Sequence, residues 1–156
     1  MDQPMTPHSQ QELHDRLEAF EQAVETPFVP GEMEGWIQSV EDAWGDLQPA
    51  LTNALDRVHP QMFESIRQDD LGLSARVDDM VETDVELREL NSQIKQLTDH
   101  LQEAIQNVEP DEGRVKLALD HFVDRAIDFI VKLRKQNRAI AVWSMESVNR
   151  DRGTVD

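Results

Sequence analysis

The chain has 156 residues, of which 38% are hydrophobic and 30% charged, so we expect one folded domain with its own core. It contains no cysteine, which excludes disulfides, thiolate metal ligands and cysteine nucleophiles and is typical of a reducing cytoplasm. The formal net charge of −17 disfavours nucleic acid and anionic membranes as partners, because an acidic surface repels both. We found no pattern of a signal peptide or a membrane span and expect a cytoplasmic protein.

The N-terminal part of the chain predicts a short tail followed by a helix. The first residues carry two prolines and no periodic pattern, so we expect a mobile tail at 1–8. Ser9 and Glu12 have the spacing of a capping box, and apolar residues then recur every three or four positions. These signals predict a first helix over about 9–26, which the prolines and glycine of 27–31 end.

The second segment, about 33–58, is amphipathic but contains a proline. A proline inside a helix removes one backbone donor and clashes with the preceding turn, so we predict a kink or break near Pro49. The pair His59-Pro60 predicts a boundary, followed by a short helix to about Gln68.

The third and fourth segments have the strongest helical patterns. In the third, apolar residues recur every seven positions and three positions beyond: Met80, Leu87, Leu90, Ile94, Leu97, Leu101, Ala104 and Val108. The fourth, about 114–149, is apolar on a broad face. The third segment is rich in acids and the fourth in bases, which favours antiparallel neighbours. The sequence therefore predicts an all-α, up-down-up-down four-helix bundle over 9–150, with a C-terminal tail at 151–156.

Histidines supply the main candidates for chemistry. His14, His59, His100 and His121 fall one in each successive segment, which is how a four-helix bundle collects a metal site in its core. The Glu-x-x-His pairs of ferritin-type di-iron sites are absent from the sequence, as are phosphate-binding glycine loops and a nucleophile elbow.

Three stretches resemble the hemerythrin-like (HHE cation-binding) family in the order of their helices and apolar positions. They are ELHDRLEAFEQAV (Glu12–Val24), WGDLQPALTNALDRVHPQMFESI (Trp44–Ile66) and LGLSARVDDMVETDVELRELNSQI (Leu71–Ile94). The closing WSMESVNRDRG (Trp143–Gly153) matches more weakly. The resemblance implies a four-helix bundle, and in the family the bundle holds a non-haem iron centre.

The ligand positions that the resemblance implies are only partly filled. His14 and His59 match the first- and second-helix histidines, but Phe63 stands where a glutamate is expected, with Glu64 next to it. The third helix has no histidine near Glu82-Thr83-Asp84, and the fourth has Lys135-Gln136-Asn137 where a histidine and a carboxylate are expected. A shift of one residue turns a side chain by about 100° around a helix, so neighbouring residues do not replace the missing ligands.

We therefore predict a non-enzymatic hemerythrin-like bundle with a degenerate or absent di-iron site, which binds a protein or a small ligand. One alternative is a non-haem iron protein with an atypical ligand set: His14, His59, Glu64, His100 and His121. Another alternative is a structural oligomer joined through the third helix. The expected protein partner is basic, and its docking face is the acidic part of the third helix: Asp78, Asp79, Glu82, Asp84, Glu86 and Glu89.

Overall fold

The computed structural model describes residues 7–153, and all regular elements in this range are helical. There are five α-helices: α1 (Pro7–Glu25), α2 (Met33–Asn53), α3 (His59–Asp69), α4 (Ser74–Gln106) and α5 (Glu112–Gly153). A π turn (Ala54–Val58) joins α2 directly to α3, and 3-10 turns at Pro30–Glu32 and Leu71–Leu73 precede α2 and α4. None of these helices combines the length and the apolar character needed to cross a membrane.

Both ends of the helical region differ from the sequence prediction. Helix α1 begins at Pro7, so Ser9 lies inside it and the predicted capping-box start is wrong. Proline is favoured in the first turn of a helix, because its missing N–H has no partner there anyway. Helix α5 continues to Gly153, so residues 7–8 and 151–153, which were predicted as parts of the two tails, are helical. The rest of the predicted tails, residues 1–6 and 154–156, lies outside the described range.

The second predicted helix departs from α-helical geometry later than expected. Helix α2 is unbroken across Pro49, so no break occurs there, and a kink at this residue stays a prediction. In the π turn, His59 N–H donates to the carbonyl of Ala54, five residues earlier. A regular helix would press the ring of Pro60 against the carbonyl of Asp56, and the wider turn gives the ring room. The helix therefore continues through His59-Pro60, where the sequence predicted a boundary.

Polar contacts fix how α4 lies against its neighbours. The side chains of Glu41, Gln48 and Asp56 contact those of Gln102, Asn91 and Arg88, respectively. Helix α2 and the π turn therefore run antiparallel to α4. Likewise, Lys132 contacts Glu86 and Arg76 lies over the ring of Trp143, so α5 also runs antiparallel to α4.

The interior consists of two hydrophobic clusters. The larger, which we call the main core, draws on α1, α2, the π turn, α4 and α5 and includes Leu87, Ile94, Leu101, Phe122, Phe129 and Leu133. The smaller, which we call the distal core, contains Phe63, Ile66, Leu73, Val77, Met80 and Ile140. None of the distal-core residues belongs to α1.

The predicted seven-residue stripe of α4 is buried except at its end. Leu90 and Leu97 are partly buried against the main core. Val108 is 96% exposed, because α4 ends at Gln106, before the predicted end of the stripe.

Candidate functional site

Three polar side chains are buried together where α3, α4 and α5 meet. His59, Asp84 and Gln136 are exposed by only 1%, 7% and 2%, respectively. Burying polar groups is costly unless they are hydrogen-bonded, so a cluster of this kind requires internal partners. We refer to these three residues as the polar layer.

Every helix of the polar layer contributes to its hydrogen bonds. His59 Nδ1–H donates to the Asp84 carboxylate, with 3.0 Å from Nδ1 to each of Oδ1 and Oδ2. Gln136 Nε2 donates to Asp84 Oδ1 at 2.8 Å and to the backbone carbonyl of Met80 at 2.6 Å. The ring of Phe63 lies 5.9 Å from that of His59, centroid to centroid. The layer thus ties three helices together through one carboxylate.

The polar layer lies between the two hydrophobic clusters. Along the chain, each residue of the layer has a main-core residue within four positions on one side and a distal-core residue within four positions on the other. The three sets are Leu55, His59 and Phe63; Met80, Asp84 and Leu87; and Leu133, Gln136 and Ile140. The three hydrogen-bonded side chains of the polar layer therefore separate the main core from the distal core.

Helix periodicity explains why Asp84 faces inward. Asp84, Asn91 and Thr98 lie four positions after Met80, Leu87 and Ile94, on the side of α4 that faces its neighbours. Asn91 accepts from Trp44 Nε1 at 3.1 Å and donates to Gln48 Oε1 at 2.7 Å. Thr98 Oγ1 donates to the carbonyl of Ile94 at 2.7 Å. The buried side of α4 thus alternates apolar and hydrogen-bonded positions.

The five ligands of the predicted iron alternative are not brought together. His59 is buried, whereas His14, Glu64, His100 and His121 are exposed. The structure places these four on the outside of α1, α3, α4 and α5, respectively.

Among the residues described, one group of three His, Asp or Glu has ligand atoms within 4.8 Å of one another: His14, Asp15 and Glu18 on α1. His14 Nε2 lies 3.6 Å from Glu18 Oε2. All three side chains are exposed.

Two members of the layer, Asp84 and Gln136, were not predicted from the sequence as residues of a site. Asp84 was assigned to an acidic docking face, which is wrong, because the side chain points into the interior and bonds His59. Gln136 was noted only as a departure from the family ligands. A signal for Asp84 was present in the sequence, since an acid three residues before Leu87 falls on the predicted apolar stripe.

The residues present do not fit a di-iron centre. Such a centre in a helical bundle takes several carboxylates and histidines from facing helices. The layer offers one imidazole, one carboxylate and one amide, and His59 and Asp84 already bond each other. Within the described range, neither belongs to a group of three His, Asp or Glu close enough to hold one ion.

Two grooves flank the polar layer. The first, between α3 and α4, has a volume of about 440 Å³ and reaches Asp84; its apolar lining is Leu55, Pro60, Phe63, Val81 and Val85. The second, which we call the α4–α5 groove, has a volume of about 870 Å³ and reaches Gln136. Both volumes lie in the range of small-molecule sites.

The other acids of the predicted docking face are spread over several environments. Asp78 pairs with Arg67 at 2.6 Å, and Glu86 pairs with Lys132 in the α4–α5 groove. Asp79 and Glu89 also line that groove. Asp84 therefore does not belong to this face, whereas Asp78, Asp79, Glu82 and Glu89 are exposed and Glu86 is half-buried.

An ion pair with perturbed acid–base behaviour joins α1 to α5. Arg134 Nη1 and Nη2 donate to Glu21 Oε2 and Oε1 at 2.6 and 2.7 Å. These hydrogen bonds hold the pKa of Glu21 below its ordinary value of 4.5, although partial burial acts in the opposite direction. The same contact raises the pKa of Arg134.

Comparison with protein-family models, with curated proteins and with solved structures finds no match to this chain.

Proposed function

We propose that this chain is a non-enzymatic binding protein built as an up-down-up-down bundle of hemerythrin-like type, in which a hydrogen-bonded layer replaces the metal ligands. The observation that carries this proposal is the location of the polar layer. Asp84 lies in the third-helix stretch, and Gln136 in the fourth-helix stretch, where the family resemblance expects ligands. Together with His59, they meet in the interior and satisfy one another. The opposite directions of α4 and its neighbours support the bundle topology.

Metal content tests the loss of the iron centre. Protein expressed in iron- and zinc-supplemented medium should contain neither metal in stoichiometric amounts and should lack the absorption bands of oxo-bridged iron. The physical reason is that the one buried imidazole and the one buried carboxylate of the layer bond each other. Iron at two atoms per chain, lost in His59→Ala but retained in Glu103→Gln, a control at an exposed residue outside the alternative ligand set, would contradict the proposal and favour the iron alternative.

The groove between α3 and α4 is the site that we propose for this binding function. Val81 and Val85 are 41% and 52% exposed there, and Asp84 is among the lining residues. Apolar walls that also carry Glu64, Arg67 and Arg88 suit a small, largely apolar ligand with a polar or charged group. A screen by thermal shift should find such compounds, and Val85→Trp, which fills the groove, should remove the shift. Val142→Trp, at an exposed valine of α5 outside this groove, is the matched control. Compounds that shift the unfolding temperature of both variants equally would show that they bind outside this groove.

A basic protein is a second candidate partner, supported by the net charge of −17 and by the exposed Glu82. Association with such a partner would be electrostatically steered and therefore weakened by salt. A pull-down at low and high ionic strength should lose the partner in Glu82→Lys. Lys95→Glu, at an exposed base on the same helix, is the opposite-charge control and should retain it. A partner kept equally by Glu82→Lys would leave this acid with a role in solubility alone.

A further inference from the structure

The α4–α5 groove has walls of opposite charge. Its α4 wall carries three acids and one base, and its α5 wall carries three bases and one acid. They are Asp79, Glu86, Glu89 and Arg76 on α4, and Arg125, Lys132, Lys135 and Asp128 on α5. Apolar side chains lie between the walls: Met80, Leu90, Val131, Ala139 and Trp143. Val131 is 45% exposed, although it lies in the groove.

The charges in this groove are only partly used within the chain. Lys132 pairs with Glu86 across the groove, and Arg125 Nη1 lies 3.5 Å from Asp128 Oδ2 on the same helix. The Lys135 ammonium and the carboxylates of Asp79 and Glu89 make no ion pair with any residue that the structure describes.

The groove differs from the rest of the molecule in its balance of acidic and basic residues. Its lining contains as many bases as acids, whereas the whole chain carries 32 acids against 15 bases. Two chains of net charge −17 repel each other over most of their surfaces. In this groove, acids and bases are equal in number, so a second copy would not be repelled there. It would also cover the apolar side chains of the groove.

Symmetry makes the match specific. A two-fold axis that runs along the groove, parallel to the helices, places α4 of each copy against α5 of the other. The acidic wall of one copy then faces the basic wall of its partner, twice per dimer. A uniformly basic partner would instead be repelled by the α5 wall, and a uniformly acidic partner by the α4 wall.

We propose that a second copy of this chain docks in the α4–α5 groove, with α4 of each copy packed against α5 of the other. The contact covers Val131 and the exposed edges of Leu90 and Trp143, and it supplies partners for Lys135, Asp79 and Glu89. This interface lies on the opposite side of Asp84 from the proposed ligand groove, so the two proposals stand independently.

A charge exchange between the walls tests this interface with the full chain. Variant one, Arg125→Glu with Lys135→Glu, makes both walls acidic, and variant two, Asp79→Lys with Glu89→Lys, makes both walls basic. By sedimentation equilibrium, the wild type should dimerise, and each variant alone should have a dissociation constant raised about tenfold or more. An equimolar mixture of the two variants should recover the dimer, because acidic walls then face basic walls.

Controls separate the groove from the general charge. Lys95→Glu with Lys116→Glu changes the net charge by as much as variant one does, but both exposed sites lie outside the groove, so this variant should dimerise like the wild type. A monomeric wild type, homodimers of both variants with wild-type affinity, or a mixture that stays monomeric would each overturn the proposal.

A label measurement keeps the test valid if a charge variant folds poorly. The chain has no cysteine, so Val131→Cys gives one unique attachment site in the groove, and Val29→Cys gives one on an exposed loop. Spin labels at residue 131 should show a short, narrow intermolecular distance, and labels at residue 29 should not. Failure to see that distance at residue 131 would likewise overturn the proposed interface.

Discussion

At the scale of single residues, the polar layer replaces what would otherwise be one continuous apolar core. Asp84 accepts hydrogen bonds from two different helices, and both donors are themselves almost fully buried. Removing one partner of such a network leaves a desolvated group unpaired, which costs about 1–3 kcal/mol for a neutral group and more for a charge. The layer therefore fixes the register of α3 and α5 on α4, since a shift of either helix by one residue would break it.

The bidentate pair of Glu21 and Arg134 predicts an acid dependence of stability. Because the pKa of Glu21 is lowered in the folded chain, the pair stabilises the fold above pH 4.5. This contribution is lost as the pH falls from 4.5 through the lower folded value. In Glu21→Gln, the free energy of unfolding should be reduced at pH 7, and its difference from the wild type should shrink below pH 4.5.

Urea denaturation at several pH values measures this difference. Glu12→Gln, at an exposed glutamate of the same helix, is the matched control and should follow the wild type throughout. A gap between Glu21→Gln and the wild type that stays constant down to pH 3 would contradict the assigned role.

At the scale of elements, α3 is the least supported helix. It has 11 residues, it follows a π turn, and its buried residues other than His59 belong to the distal core. That cluster is built without α1, whereas the main core draws on α1, α2, α4 and α5. Local opening requires less free energy where fewer apolar side chains are buried.

Native-state hydrogen exchange should therefore distinguish α3 from the middle of α4. The amides of His59–Asp69 should exchange faster than those of residues 87–101, which face the main core. Mass spectrometry of exchanged peptides gives this comparison directly, and peptides from the buried turns of α2 serve as a second reference. Equal protection of α3 and the α4 segment would mean that the polar layer does not divide the molecule into regions of different stability.

At the scale of the whole molecule, charge is distributed unevenly between neighbouring helices. The acids of α4 meet the bases of α5 both inside the chain, as in Lys132 with Glu86, and along the open groove. Individually, exposed ion pairs contribute little to stability. Their common sign along each helix nevertheless favours one orientation of the α4–α5 pair, and it leaves a surface of balanced charge on a strongly acidic protein.

The sequence by itself determined the helical class, the approximate helix bounds and most of the apolar seam. Leu87, Ile94 and Leu101 were found because a repeat of seven residues places side chains on one face of a helix, which is a local property. The end of that seam at Val108 was missed, because a pattern of apolar residues carries no information about where α4 stops.

Only the tertiary structure decided which polar residues share a site. His59 lies 25 residues before Asp84, and Gln136 lies 52 residues after it. Asp84 falls on the predicted apolar stripe, but nothing in the sequence identifies its two partners. The π turn at 54–58 also has no sequence repeat of its own. A site assembled from three helices depends on how those helices pack and rotate against each other, and these are properties of the folded molecule.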